Sequence, residues 1–257
     1  LKLLASARSA GKELTVRGKT YKVEEAKADS FNGVDVALFA GGSISKTFAP
    51  IAVKAGAVVI DNSSTYRMDP EVPLIVPEVN PQDIKKHKGI IANPNCSTII
   101  MVMALKPIYD LARIKRIIVS TYQAASGAGK DGLDELERQI KEAAAGKEMT
   151  AHIFPSASAA KHFPLALNLV PQIDVFLDNL YTKEEMKMVN ETKKIFSDPE
   201  MRITATTVRV PVYRSHSESV NVELEHDVEL ADIRKALSQF PGVVLQDDPS
   251  QQIYPMP

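Results

Sequence analysis

The chain has 257 residues, enough for one large domain or two small ones with a substantial hydrophobic core. Its 31 basic and 32 acidic residues nearly cancel, which argues against nucleic-acid binding and against attachment to an acidic membrane surface. No apolar stretch is long enough to span a membrane. Cys96 is the only cysteine, so an internal disulfide is excluded and a reducing, cytoplasmic location is expected.

The first third of the chain alternates strand-like and helix-like segments. The chain starts inside an apolar segment, which predicts a strand and further native sequence upstream of it. An apolar run that ends in Gly41-Gly42 is typical of a buried parallel strand. This alternation predicts a doubly wound, Rossmann-like α/β sheet, whose ligands gather at the carboxyl ends of the strands. The predicted elements are strands at 34–40, 57–60, 74–76 and 90–91 and a helix at 43–55.

The rest of the chain predicts an α+β domain with a mixed sheet. Several of its strands carry Thr, Ser and Glu at alternate positions, as in a sheet with one solvated face. We expect that face to be available for contact between subunits. The boundary is predicted after residue 95, giving a partial nucleotide-binding domain at 1–95 and a catalytic and dimerisation domain at 96–257. The predicted elements are strands at 114–122, 202–212 and 219–225 and helices at 133–145, 183–196 and 231–240.

The segment Gly127-Ala128-Gly129-Lys130-Asp131-Gly132 matches the dinucleotide-binding pattern G-x-G-x-x-G. It follows a predicted strand and precedes a predicted helix. That helix, however, leads into a Ser/Ala-rich loop and not into a second parallel strand with an acidic end. The segment is therefore not expected to bind a dinucleotide pyrophosphate, although its glycines allow a ligand to approach the backbone.

Cys96 lies between a short apolar strand and an apolar helix, in the run Asn93-Pro94-Asn95-Cys96-Ser97-Thr98. A thiol at a helix start faces unpaired backbone N–H groups and the positive end of the helix dipole, which favour the thiolate. A buried cysteine that serves only as a small hydrophobe is the alternative. The polar neighbours favour a nucleophile.

Two further polar clusters follow predicted strands. In such a fold, a dinucleotide's adenosine ribose would lie beside Ser6, Arg8 and Ser9. An Arg between two hydroxyl groups suits a 2′-phosphate. A solvated basic loop is the alternative. Gly41-Gly42-Ser43 precedes a helix and offers backbone N–H groups to an anion, or serves as an ordinary helix cap.

Together, these motifs resemble those of the aspartate-semialdehyde dehydrogenase family. The resemblance covers nearly the whole chain in the expected order, and the Cys and Gln motifs are long enough to be specific. The family also has a Gly-rich phosphate loop before this chain's first segment and a further stretch after its last. The matching runs are GGSISK (41–46), DNSSTYRMD (61–69), VPEVNP (76–81), NPNCST (93–98), STYQAASGAG (120–129) and RVPVYRSHSES (209–219).

The resemblance implies a reversible reaction in lysine, methionine and threonine biosynthesis. L-aspartyl 4-phosphate is reduced with NADPH to L-aspartate 4-semialdehyde and phosphate. Cys96 would carry the substrate as a thioester, Gln123 would orient that intermediate, and His216 would be the acid/base group that takes the thiol proton. A homodimer or homotetramer without a metal is implied.

The resemblance also implies binding residues. Arg209 would grip the substrate α-carboxylate, for which guanidinium geometry is well suited. Glu185 would lie near the substrate ammonium and Lys187 near phosphate, in an E-x-K pattern at a helix start. Arg67 and Asn95 would contact the substrate or phosphate, and Ser97 would lie beside the nucleophile. The residues that would contact NADP are Ser6, Arg8, Ser9, Gly41, Ser43, Ser126 and Gly127.

Three alternatives remain open from the residues alone. One is a related acyl-phosphate or aldehyde reductase, such as N-acetyl-glutamyl-phosphate reductase or glyceraldehyde-3-phosphate dehydrogenase. Another is a cysteine hydrolase that uses Cys96, Gln123 and His216. A non-catalytic binding or assembly domain is the last.

Overall fold

The computed structural model describes residues 1–42 and 44–257. The chain divides into two units, one formed by Leu1–Ile75 and Gln82–Asn93 and the other by Val76–Pro81 and Pro94–Pro257. Each unit has a hydrophobic core of its own. Among the described residues, no helix combines the length and the apolar character needed to cross a membrane.

The first unit contains two three-stranded sheets. One has the order β1-β3-β2, with β1 and β3 parallel and β2 and β3 antiparallel; the other has the order β4-β5-β6 and is parallel throughout. Buried apolar side chains such as Phe39, Ala49 and Val59 form its core. Its elements are β1 (Leu3–Ala5), β2 (Glu13–Val16), β3 (Lys19–Glu25), β4 (Val36–Phe39), α1 (Ile44–Lys54), β5 (Val58–Asp61) and β6 (Ile90–Ala92).

Two parts of this unit differ from the sequence prediction. The hairpin of β2 and β3 was not predicted, because its two-residue turn is Arg17-Gly18 and lacks the usual Asn or Asp signal. Both turn residues have positive φ, 49° and 77°, as a type I′ turn requires. The strand predicted at 74–76 is reduced to one bridge between Leu74 and Ala92.

The second unit is built on the three-stranded sheet β8-β7-β9. Its central strand β7 pairs parallel with β8 and antiparallel with β9. The buried face of β7 presents Ile117 and Val119 to Met101 and Met188 from two helices. Its elements are α2 (Cys96–Leu111), β7 (Ile114–Gln123), α3 (Gly129–Ala144), α4 (Lys183–Phe196), β8 (Arg202–Arg209), β9 (Ser217–Leu224) and α5 (Leu230–Gln239).

The opposite face of this sheet is solvent-exposed, as the alternation of polar residues predicted. Ile118 and Tyr122 on β7 are 43% and 44% exposed, beside polar side chains such as Ser120 and Asn221. The exposed face therefore mixes apolar and polar side chains. The Gly127–Gly132 segment includes the first turn of α3, which is followed among the described residues by a loop and α4 before the next strand. That this segment does not bind a dinucleotide pyrophosphate stays a prediction.

The register of this sheet brings three strand ends together. Gln123, the last residue of β7, is paired with Arg209, the last residue of β8. Because β9 is antiparallel to β7, its first residue, Ser217, is paired with Tyr122, and His216 immediately precedes it. Three residues that the sequence singled out thus lie at one edge of the sheet.

Candidate active site

Cys96 is the first residue of helix α2, and Asn95 is its N-cap. The Asn95 side-chain oxygen accepts hydrogen bonds from the N–H groups of Ser97 at 3.0 Å and Thr98 at 3.3 Å. These bonds satisfy two of the otherwise unpaired N–H groups of the first turn. The cap thus sets the helix start at Cys96, whose side chain is exposed.

Asn95 is itself bound by two carboxylates of helix α4. Its side-chain amide donates to Glu184 Oε1 at 2.9 Å, and its backbone N–H donates to Glu191 Oε2 at 2.6 Å. All three residues are buried. The chain segment immediately before Cys96 is therefore held by α4 as well as by its own helix.

Glu184 also connects this segment to the sheet edge. Its Oε1 accepts a hydrogen bond from the side-chain amide of Gln123 at 3.3 Å, and Gln123 is 1% exposed. The second oxygen of Glu184 lies 3.0 Å from Lys187 Nζ. Lys187 in turn forms an ion pair with Asp174 at 3.1 Å. The cluster of these three charged groups carries a net formal charge of −1.

The backbone of Ala124 holds both Arg209 and His216. Its carbonyl oxygen accepts a hydrogen bond from Arg209 Nη1 at 2.8 Å, and its N–H donates to His216 Nδ1 at 3.0 Å. Gly127 lies against the same two side chains, since a Cβ there would be 2.5 Å from Arg209 Nη1 and 3.2 Å from the His216 ring. Glycine at 127 is therefore a spatial requirement of this arrangement.

The Arg209 guanidinium is buried, and no carboxylate of the described residues is in hydrogen-bond contact with it. Arg209 is 4% exposed, and its Nε has no hydrogen-bond partner in residues 1–42 and 44–257. The Phe154 ring lies 6.0 Å from its Cζ. Burial lowers the pKa of Arg209, although Glu184 and Cys96 act in the opposite direction. A buried guanidinium with an unused donor is suited to bind a small anion such as a carboxylate.

The pKa of Cys96 differs from the sequence expectation. Although the Cys96 side chain is solvent-exposed, partial desolvation by the surrounding protein and the negative charge of Glu184 raise the pKa of its thiol, and they outweigh the Ser97 backbone N–H and Arg209, which lower it. The pKa shift is thus opposite in direction to the one that the helix start alone predicts, and the role of Cys96 as nucleophile stays a prediction. The helix-terminal effect is present, but the neighbouring carboxylate and desolvation are stronger.

Burial and the charge of Arg209 lower the pKa of His216, and Glu184 only partly offsets them, so the neutral ring is favoured. Its Nδ1 accepts the Ala124 N–H, so the proton of the neutral ring is on Nε2. Nε2 is therefore a hydrogen-bond donor. The predicted acid/base role of His216 stays a prediction.

Glu185 has a structural role in place of the predicted contact with substrate. One carboxylate oxygen accepts the Thr182 N–H at 2.7 Å and the other accepts the Thr207 N–H at 3.0 Å. The Thr182 hydroxyl completes a capping box at the start of α4. The carboxylate that faces Gln123 belongs to the preceding residue, Glu184.

Other predicted binding residues lie in both units. Arg67, in the first unit, is buried and donates to the carbonyl oxygens of Asn62 and Ser63, each at 3.1 Å. Phosphate binding by Arg67 and Lys187 stays a prediction. Burial by itself lowers the pKa of Lys187, but Glu184 and Asp174 outweigh it and the pKa is raised. No group of three His, Cys, Asp or Glu residues in the described parts of the chain is arranged to bind a metal.

The predicted cofactor-binding residues also lie in both units. Ser6 occupies the N-cap position of a 3-10 turn at Ala7–Ser9 that directly follows β1, without a side-chain capping hydrogen bond, and Arg8 within the turn is exposed. Gly41 is closely approached by Ile44. Ser126 and Gly127 lie in the second unit, where the Ser126 N–H binds the Tyr213 carbonyl. Ser43 lies outside the described residues, and all these cofactor contacts stay predictions.

Sequence reasoning missed Glu184, Glu191 and Asp174 at this site. Glu184 and Glu191 are seven residues apart on α4, a spacing that places them on one helix face, but many solvated helices show the same pattern. Asp174 lies in a loop without any motif. Only burial distinguishes the two glutamates from ordinary surface acids.

The fold and this site define the class of protein. The semialdehyde dehydrogenase NAD binding domain matches residues 1–87, and the semialdehyde dehydrogenase dimerisation domain matches residues 105–257. Both are parts of NAD(P)-dependent phosphorylating dehydrogenases. The predicted fold class, a Rossmann-like nucleotide domain with an α+β domain, is confirmed.

More specifically, the chain belongs to the aspartate-semialdehyde dehydrogenase family. It is 53% identical to the aspartate-semialdehyde dehydrogenase of Bacillus subtilis and 54% identical to that of Aquifex aeolicus. In each comparison the alignment covers 100% of this chain and 75% of the relative. The predicted family is thereby confirmed.

Solved structures agree with this assignment. Aspartate semialdehyde dehydrogenase II from Vibrio cholerae is 48% identical, with a TM-score of 0.88 over 94% of this chain and 71% of that one. The same protein complexed with ASA gives a TM-score of 0.87 over 94% and 70% of the two chains. Aspartate semialdehyde dehydrogenase with NADP from Candida albicans is 26% identical, with a TM-score of 0.69 over 93% and 68%.

Proposed function

We propose that this chain catalyses the NADPH-dependent reductive dephosphorylation of L-aspartyl 4-phosphate to L-aspartate 4-semialdehyde and phosphate, in cytoplasmic lysine, methionine and threonine biosynthesis. Two features of the second unit support the proposal. Cys96 is connected through Asn95 and Glu184 to Gln123, and the buried Arg209 has a donor left for a small acid. The domain boundary after residue 95 remains part of this proposal.

Substrate binding in this proposal uses two opposite charges. Arg209 binds the α-carboxylate through its unpartnered Nε, which compensates the cost of burying the cation. Glu184 replaces Glu185 as the group that binds the substrate ammonium. Because Glu184 raises the pKa of Cys96, neutralising it with an ammonium lowers that pKa when substrate binds. Arg67 and Lys187 are the proposed phosphate contacts.

The chemical steps use Cys96 and His216. The sulfur attacks the acyl carbon, the bond from that carbon to the phosphate oxygen breaks, and the thiol proton leaves with the phosphate. His216 donates a hydrogen bond from Nε2 to the oxygen that becomes negative at the acyl carbon, and Gln123 orients the thioester. Bound NADPH supplies the hydride that converts the thioester to the aldehyde. The thiolate released then takes a proton from solution.

The residues at the end of β1 fit the 2′-phosphate of NADP. Arg8 is exposed and forms no ion pair with any described carboxylate, and the Ser6 side chain makes no capping hydrogen bond. A free cation beside Ser6 and Ser9 matches a phosphate and not a free hydroxyl. Gly41, Ser43, Ser126 and Gly127 are the other proposed cofactor contacts.

The decisive experiment is phosphate-dependent reduction of NADP with aspartate semialdehyde. We expect turnover that requires both aspartate semialdehyde and inorganic phosphate, and little with N-acetyl-glutamate semialdehyde or glyceraldehyde 3-phosphate. Without NADPH, aspartyl phosphate should add one aspartyl group to Cys96, detected by intact mass. Cys96→Ser should lower turnover by several orders of magnitude, because a hydroxyl lacks thiolate nucleophilicity. Near-normal turnover in that variant excludes the thioester.

We also propose a homodimer or homotetramer formed through the exposed face of the β8-β7-β9 sheet. Ile118 and Tyr122 give this face an apolar centre, and it lies within the matched dimerisation domain. Ile118→Asp should dissociate the assembly in analytical ultracentrifugation. An unchanged sedimentation coefficient would exclude this face.

A further inference from the structure

The start of helix α2 lacks one half of a capping box. The Asn95 side chain caps the N–H groups of the first turn, but the third helical residue is Thr98, too short to return a bond to the Asn95 N–H as Glu or Gln does. Helix α4 contains the complete device, because Glu185 reaches back to the N–H of Thr182. The two helices of the site therefore begin differently.

Glu191 provides the missing half of this box from another helix. Its Oε2 accepts the Asn95 N–H at 2.6 Å, across 96 positions of sequence. Glu191 is 1% exposed, so the bond is shielded from water and its geometry is constrained by packing. A hydrogen bond to a buried carboxylate is stronger than one between two neutral groups.

The second glutamate on the same face of α4 restrains the Asn95 side chain. Glu184 is seven residues, or two turns, before Glu191, and it accepts the Asn95 amide at 2.9 Å. One rigid helix thus binds both the backbone and the side chain of the residue that precedes Cys96. Glu184 is also placed to contact substrate, whereas Glu191 binds the Asn95 backbone.

We propose that Glu191 is a positioning residue that sets the orientation of the Cys96 thiol through the Asn95 N–H. The inference rests on the proposed role of Cys96 as nucleophile. Displacement of a nucleophile by about 1 Å costs on the order of 100-fold in rate. Glu191 therefore controls kcat without contacting substrate.

The test compares Glu191→Gln with Glu191→Met in the whole chain. Both side chains are uncharged and similar in length, but only Gln keeps an oxygen that can accept the Asn95 N–H. We expect Glu191→Gln to keep kcat within about fivefold of the unsubstituted protein, and Glu191→Met to lower kcat about 100-fold. KM for aspartate semialdehyde should change less than threefold in both.

Asp198→Asn is the matched control. Asp198 is equally buried and lies just beyond the C-terminal end of α4, where it binds Tyr109 and Arg113 near the end of α2. Loss of the Asp198 carboxylate should lower Tm with little change in kcat. The control therefore separates an effect on stability from an effect on the position of the Cys96 thiol. If the Met variant does not fold, Glu191→Asp keeps the charge, shortens the reach, and should lower kcat more than Glu191→Gln does.

Three results would overturn the inference. They are a kcat for Glu191→Met within threefold of the unsubstituted protein, equal loss in the Gln and Met variants, and a loss in Asp198→Asn as large as that in Glu191→Met. An active Cys96→Ser protein would instead refute the proposed function. An inactive Cys96→Ser protein with a fully active Glu191→Met protein refutes only the positioning role.

Discussion

Glu184 and Gln123 lie 61 positions apart in the sequence, yet the carboxylate of one accepts a hydrogen bond from the amide of the other at 3.3 Å. This contact joins the first turn of α4 to the end of β7. The same carboxylate holds Asn95 and raises the pKa of Cys96. Glu184 is therefore the charge on which the electrostatics of the site depend.

Glu184→Gln should make the Cys96 thiol more reactive while making the enzyme slower. Removal of the negative charge lowers the pKa of Cys96, so iodoacetamide should alkylate it faster at a fixed pH below that pKa. Turnover should fall because the substrate ammonium loses its partner. The measurements are the pH profile of alkylation and the kcat/KM for aspartate semialdehyde.

The control is the adjacent carboxylate. Glu185→Gln should lower Tm, because a capping interaction of about 1 kcal/mol is weakened, and should leave the alkylation profile unchanged. A Cys96 pKa that stays the same or rises in Glu184→Gln would contradict the charge assignment.

Glu218 should make the stability of the protein depend on pH. Burial raises its pKa from 4.5 to about 8, and its Oε1 has no hydrogen-bond partner in the part of the chain that the structure describes. The folded protein therefore retains a proton that the unfolded chain releases. The free energy of unfolding should fall as pH rises from about 4.5 to about 8, and this group contributes no further change above that.

Glu218→Gln removes this titration. At pH 8 the variant should be more stable than the unsubstituted protein by roughly 1 to 3 kcal/mol, and near pH 4 the two should be alike. Urea denaturation at both pH values measures the difference. Glu225→Gln, an exposed position directly after the same strand, should change the unfolding free energy by less than about 0.5 kcal/mol at either pH.

Gly127→Ala should impair substrate binding without unfolding the protein. The added methyl group meets Arg209 and the His216 ring, so both must move from the positions set by Ala124. We expect kcat/KM for aspartate semialdehyde to fall about 10- to 100-fold, with most of the change in KM.

Gly129→Ala is the comparison for that variant. Gly129 has open space around it but a φ of +76°, so alanine there strains the backbone by about 1 kcal/mol and lowers Tm. Its KM should not change. Equal KM values for Gly127→Ala and the unsubstituted protein would show that Arg209 does not bind substrate.

Arg8→Ala should reduce the preference for NADPH. Loss of the guanidinium should lower kcat/KM with NADPH about tenfold, since one charge-assisted contact is worth about 1.4 kcal/mol or more, and should leave kcat/KM with NADH unchanged. Arg17→Ala, an exposed arginine in the β2–β3 turn, is the matched control. Equal kcat/KM values for the two cofactors in the unsubstituted protein would rule out the phosphate contact.

Elements with local signals were predicted well from the sequence. Helix α4 has the predicted bounds, Lys183–Phe196, because Thr182 and Glu185 form a capping box and the helix ends before Ser197 in the left-handed region. The β2–β3 hairpin was missed because its turn residues are unusual. The prediction of a strand at 74–76 was wrong, because these apolar residues are buried but form only one β-bridge, between Leu74 and Ala92.

The choice between neighbouring carboxylates could not be made from the sequence. Successive residues of a helix point about 100° apart, so Glu184 and Glu185 face different partners. Glu184 faces Asn95 and Gln123, and Glu185 faces the backbone of Thr182 and Thr207. Which face of α4 meets α2 is determined by packing between distant segments.

The sequence by itself determined the fold class, the family and the start of α2 at Cys96, because these depend on local patterns and on an N-cap one residue away. The tertiary structure decided the direction in which the pKa of the thiol is shifted and the tautomer of His216. Both depend on Glu184, Arg209 and the Ala124 backbone, which only folding brings together, and on burial, which raises the pKa of the thiol and lowers that of the imidazole.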